Sequence, residues 1–161
     1  VQSGLDPVGV IFSEYYFYLN AFIVEKNERG KFEQKYDYPA IFRVDRIEKY
    51  RKLGEKFKIA YSNRFEEGEF RKRVQFMFPG RLLKLRFRYT GRSVEAILDR
   101  LPTARVISEE KDGVVVEAEV YGKGILMWLL SQGNMVEVLS PKSLREEMKN
   151  LLHEMLDKYE K

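Results

Sequence analysis

A chain of 161 residues with 44% hydrophobic and 14% aromatic residues can build real cores, and its 34% charged residues solvate the surface, which excludes a disordered composition. The absence of cysteine excludes disulfides, thiolate metal sites and thiol nucleophiles. A net charge of +4 is a mild bias shared by many soluble proteins; no segment approaches the ~18 apolar residues of a membrane span and residues 1–10 make no signal peptide, so a cytoplasmic protein without membrane contact is expected.

The first elements are strands. Val8-Gly9-Val10-Ile11-Phe12 is a short one, Ser13-Glu14 a tight turn, and residues 15–24 a second strand rich in aromatic and β-branched residues. Alternation sorts this second strand into two faces. Phe17, Leu19, Ala21 and Ile23 suit a core; Tyr16, Tyr18 and Asn20 are expected on the outward face. A charged loop is expected over residues 25–35, with a turn at Arg29-Gly30. Residues 38–45 read as a third strand, with Phe42 and Val44 inward and Arg43 and Asp45 outward, and residues 57–59 as a possible fourth. So few strands suggest a small barrel whose first strands precede Val1, in a piece of a longer protein.

Residues 61–81 read as a helical connector, with Phe70, Val74, Met77 and Phe78 at helical spacing over residues 66–78 and Pro79-Gly80 as the stop. From residue 82 the pattern changes. Leu83, Leu85, Phe87 and Tyr89 alternate with Lys84, Arg86 and Arg88 in a strand, and Ser93 caps a helix carrying Val94, Ile97, Leu98 and Leu101. Strands over 104–110 and 114–121 are joined through Asp112-Gly113, a hairpin signal. An apolar helix over 124–132, stopped by Gly133, and a strand over 135–139 complete a β-α-β-β-α-β order, the ferredoxin-like pattern. A last helix opens at Ser140-Pro141 and carries a stripe of Leu144, Met148, Leu151, Leu152, Met155 and Tyr159, which needs either its own sheet or a partner subunit to cover it.

The order and spacing of several motifs give a resemblance across nearly the whole chain. Residues 1–60 resemble the later part of a WYL domain. The name triplet is Phe17-Tyr18-Leu19, with Phe in place of Trp; an Arg-rich second signature is matched by Phe42-Arg43-Val44-Asp45-Arg46-Ile47, and a Pro-x-Gly opening by Pro7-Val8-Gly9. Residues 82–161 resemble the WCX extension that follows WYL domains, through Leu101-Pro102, Asp112-Gly113, the helix end from Trp128 to Gly133, and Val138-Leu139-Ser140-Pro141 leading into Leu144-Arg145-Glu146.

The resemblance implies an α+β chain: part of an Sm-like, SH3-type β-barrel, then a ferredoxin-like domain with an extra C-terminal helix. It implies the sensing and dimerising region of a bacterial transcriptional regulator, without a cofactor. Operator DNA would be bound only by an N-terminal winged helix-turn-helix absent from this sequence. The effector implied is a nucleotide or single-stranded nucleic acid. Tyr16, Tyr18, Asn20 and Arg43 are the residues expected to hold it, with Arg46 in reserve, because tyrosine rings stack bases and guanidinium forks grip phosphate. Against this stands an ordinary barrel surface, with tyrosines packing across strands, Arg43 solvated and Arg46 held by Asp45 or Glu48. The basic stripe Lys84, Arg86, Arg88 reads as sheet surface paired with Glu117 and Glu119. A pure assembly module is the rival function. An enzyme ranks lowest, because no nucleophile, metal cluster or acid–base pair stands out.

Overall fold

A computed structural model describes residues 3–58 and 65–160. Strand β1 (Ser3–Ser13) turns through Glu14, whose φ of 55° is left-handed, into the antiparallel β2 (Tyr16–Lys26). A bulge between Pro7 and Gly9 bends β1. The far edge of β2 is shared by β3 (Phe32–Gln34), which pairs with Val24 to Lys26, and β4 (Ala40–Arg43), which pairs with Tyr18 to Ala21. The expected loop over 25–35 therefore contains a short strand. Asn27 makes it possible: its side-chain oxygen accepts from the backbone N–H groups of Arg29 and Lys31, tightening the turn enough for the chain to pair again. The third strand is shorter than expected, because residues 44–46 curl into a 3-10 turn as Arg43 reaches forward to Asp45. Residues 57 and 58 form no strand, and residue 59 of that expected element lies outside the described residues. Among the described residues these strands form a four-stranded antiparallel sheet that does not close into a barrel.

The two faces of β2 match the expectation only in part: Ala21 is fully buried and Tyr16 exposed as expected, but the other positions depart from it. Asn20, Phe22 and Val24 are buried, whereas Phe17 is 57% exposed. The reason lies in what covers the sheet. Helix α1 (Glu67–Arg73) and Phe65, which precedes it, sit on the face that carries Asn20, and a Cβ at Gly9 would lie 2.7 Å from the Phe65 ring. Leu53 covers the same face farther along, against Gly4 and Val24. The opposite face leaves Val10, Phe12 and Phe17 exposed, with the rings of Phe12 and Phe17 5.1 Å apart.

The connector is helical only over α1, shorter than the expected 66–78, and residues 61–64 lie outside the described residues. Beyond Arg73, Val74 bridges in parallel to Tyr121, and Phe76 and Met77 adopt left-handed backbones with φ of 52° and 55°. The second unit follows as β5 (Leu82–Tyr89), α2 (Glu95–Arg100), β6 (Arg105–Glu110), β7 (Gly113–Tyr121), α3 (Gly124–Ser131), β8 (Val136–Ser140) and α4 (Lys142–Leu156). Its sheet has the antiparallel order β6-β7-β5-β8. Leu85, Phe87, Val116, Ala118 and Val120 point into a core closed by Ile97, Leu101, Ile125, Leu129 and Leu144. Trp128 is part of that core, edge-on to Phe87 at 5.9 Å. No helix among the described residues is long and apolar enough to cross a membrane.

Candidate functional site

The strand register carries the site. Tyr18 stands opposite Arg43 across the β2–β4 ladder, so their side chains leave the sheet on the same face. Tyr16 is two residues away on that face, and its ring lies beneath the guanidinium at 3.5 Å from Arg43 Cζ to the ring centre. Arg43 donates through Nε and Nη2 to the two carboxylate oxygens of Asp45, at 3.0 and 2.6 Å. This fork holds the Asp45 carboxyl below the usual carboxylate range, and the same bonds raise Arg43 further. Arg43 is thus a flat cation fixed between a ring and a carboxylate. Tyr16 also contributes a side-chain hydrogen bond to the guanidinium.

Arg46 ends the 3-10 turn beside it, and Asp45, spent on Arg43, does not hold it. Among the described residues Arg46 makes no ion pair. A cavity of about 420 Å³ gathers Tyr18, Arg43 and Arg46 against Ile47, Phe76 and Met77. Of these walls, Met77 falls at an apolar position of the connector helix expected over 66–78, and Phe76 lies within that span. Consecutive left-handed backbones at a Phe and a Met are strained, because their Cβ atoms crowd the backbone there. Only Pro79-Gly80, just downstream, hinted that the helix would stop short. The guanidinium of Arg100 lies 5.6 Å from the Phe76 ring centre and links this wall to the second unit.

Asn20 is not brought to the cavity wall. It is 0% exposed beneath the face, and neither its Nδ2 nor its Oδ1 finds a hydrogen-bond partner among the described residues. Of the five residues singled out from the sequence, Tyr18, Arg43 and Arg46 line one cavity, Tyr16 supports Arg43, and Asn20 is core. The arrangement supplies two guanidinium groups, a phenol and apolar walls, which suits a molecule with a flat apolar part and an anionic part.

The other basic runs are committed elsewhere. Glu117, 3% exposed, takes Lys84 at 3.1 Å, Arg86 at 2.8 Å and Arg105 at 2.6 Å. Arg88 bonds Glu110 and Glu137. Arg71 donates to the Phe12 carbonyl and pairs with Glu67, while Lys72 and Arg73 share Glu69.

Residues 79–156 match the family model of the WCX domain. Among solved structures, the chain is similar to the proteasome accessory factor B/C (PafBC) of Arthrobacter aurescens, at 19% identity and a TM-score of 0.45. The similarity covers 98% of this chain and 22% of that one, so the chain spans about a fifth of that protein's length. No curated protein matches.

Proposed function

We propose that the chain is the effector-sensing and assembly region of a bacterial transcriptional regulator, working in the cytoplasm by binding and not by catalysis. The observation that carries the reading is the cavity in which Tyr18, Arg43 and Arg46 converge on apolar walls. The match to a WCX domain over 79–156 supports it, as do the WYL-like motifs on β2 and β4. The order β6-β7-β5-β8 supports a ferredoxin-like second unit, and the sheet of β1 to β4 is read as part of an Sm-like barrel. The effector is a nucleotide or a short single strand of nucleic acid. A base stacks against the aromatic wall, and phosphate meets Arg46 and the guanidinium of Arg43. Operator DNA is bound by a winged helix-turn-helix elsewhere in the full protein, and two copies associate through this region. Effector binding switches the regulator only if the chain has two arrangements of unequal effector affinity.

The test is a fluorescence-polarisation titration of a short single-stranded oligonucleotide at several salt concentrations. Arg46→Ala is expected to weaken binding and to lower the slope of log affinity against log salt by about 0.7 for the lost phosphate contact. Arg43→Ala is expected to weaken it more, since Tyr16 and Asp45 lose their partner as well. Arg86→Ala, whose carboxylate keeps two other cations, is expected to bind as the wild type does. Equal affinity for all four proteins would remove the Tyr/Arg cavity from the function.

The exposed end of α4 favours assembly as a second role. Leu144 and Met148 are buried on the chain's own sheet, but Leu152, Met155, Leu156 and Tyr159 are exposed. Under the rival reading this stripe joins two copies and the first sheet binds nothing. A wild-type dimer whose melting temperature no nucleotide raises would favour that rival.

A further inference from the structure

A different cavity, of about 600 Å³, opens at the seam between the two units and plays no part in the function proposed above. Its volume is that of a small-molecule site. Five rings wall it: Phe22 from β2, Tyr38, Phe65, Phe70 from α1 and Tyr121 from the end of β7. Phe70 stacks on Tyr121 with centres 5.8 Å apart, and Phe65 tilts against Phe70 at 5.2 Å, so the rings form a continuous wall.

The charges at this cavity have one sign to spare. Arg81 is the only cation among the described lining residues, and its Nε already donates to Asp37 at 3.0 Å. Glu69 is neutralised by Lys72 and Arg73, whose hydrogen bonds hold its carboxyl down at about 2. Glu66, immediately before α1, also lines the cavity and makes no ion pair among the described residues. Among the described residues, an entering anion would meet three carboxylates and a single guanidinium that is already paired with one of them. A cation would meet ring faces and an uncommitted carboxylate, the combination by which proteins hold quaternary ammonium groups.

We propose that this seam cavity binds an organic cation, an ammonium or guanidinium group on an apolar body, with the charge between Glu66 and the ring wall. Val8 and Phe22 belong to the first sheet and Leu82 and Tyr121 to the second, so an occupant touches both units at once. The site is independent of the Tyr/Arg cavity in residues and in charge.

Calorimetric titration of the whole chain with benzyltrimethylammonium tests it, with benzyl alcohol as the neutral probe and benzenesulfonate as the anionic one. Saturable binding of the cation, about tenfold tighter than either other probe, is expected. Glu66→Gln, an exposed change, should weaken the cation about fivefold and leave benzyl alcohol unaffected. Arg43→Ala should bind the cation as the wild type does, which separates this site from the other cavity. Equal affinity for the three probes, no saturable heat with the cation, or an unchanged Glu66→Gln protein would each overturn the proposal.

Discussion

Asn20 puts a buried amide in the sheet where no partner is found for it among the described residues. A buried polar group without a hydrogen bond costs about 1–3 kcal/mol, so an apolar side chain of similar size should improve the protein. Asn20→Val is expected to raise stability by about 1–2 kcal/mol in urea unfolding and to leave oligonucleotide affinity unchanged. A loss of affinity would return Asn20 to the site. Glu117 is the opposite case, a buried carboxylate with three cations on it. Hydrogen bonds from Arg105, Arg86 and Lys84 lower its pKa from the ordinary 4.5 to about 2. The folded form therefore binds a proton less readily than the unfolded one. Its stabilisation is complete above pH ~4.5 and is lost as pH falls toward about 2. Glu117→Gln should melt at a lower temperature than the wild type at neutral pH, with the gap closing as the pH is lowered through that window. A gap that stayed constant down to pH 2 would mean that the carboxylate's charge contributes nothing.

At the scale of elements, alternation and turn residues made the second unit legible almost strand by strand. Leu85 and Phe87 are buried where period-two spacing places them, and a hairpin forms where Asp112-Gly113 signals one, with Glu110 paired to Gly113 and Lys111-Asp112 as its loop. The first sheet was legible in its strands but only in part in its orientation, since Ala21 is buried as expected and Phe17 is not. Spacing shows that Tyr16, Tyr18 and Asn20 share a face, whereas which face is covered depends on where Phe65 and Leu53 return, a long-range fact no local pattern carries. The Tyr18–Arg43 pair could be read from two motifs; Phe76 and Met77 could not, because helical spacing of apolar residues also fits a chain that leaves the helix early. What fixes that departure is the crossing of residues 79–80 with 122. Gly122 has φ of 64°, and a Cβ there would run into the Pro79 carbonyl. Gly122→Ala is expected to destabilise by more than about 1 kcal/mol, from the left-handed backbone and the clash together. Because that crossing holds the wall formed by Phe76 and Met77, the variant should also weaken oligonucleotide binding under conditions where it remains folded.

For the whole molecule, the distribution of covered and uncovered apolar surface sets the expected assembly. The second unit buries its own core, to which α4 contributes Leu144, Met148 and, part-buried, Leu151. Leu152, Met155, Leu156 and Tyr159 recur at intervals of three and four residues, so they form one stripe running off the end of the unit. An amphipathic helix gains by covering such a stripe, and a second copy of the same helix supplies a matching one in an isologous, two-fold contact. The wild-type chain is therefore expected to run as a dimer in size-exclusion chromatography with light scattering. Leu156→Glu places a carboxylate in the middle of that contact and should weaken association by about 2–3 kcal/mol, roughly thirty- to a hundred-and-fiftyfold. Leu156 is half exposed and outside the core of the unit, so the melting temperature of the dissociated variant should stay close to that of wild type diluted to monomer. A wild-type monomer at high concentration would assign the stripe to another partner. A dimer unmoved by Leu156→Glu would instead point to the uncovered face of the first sheet, where Val10, Phe12 and Phe17 lie exposed.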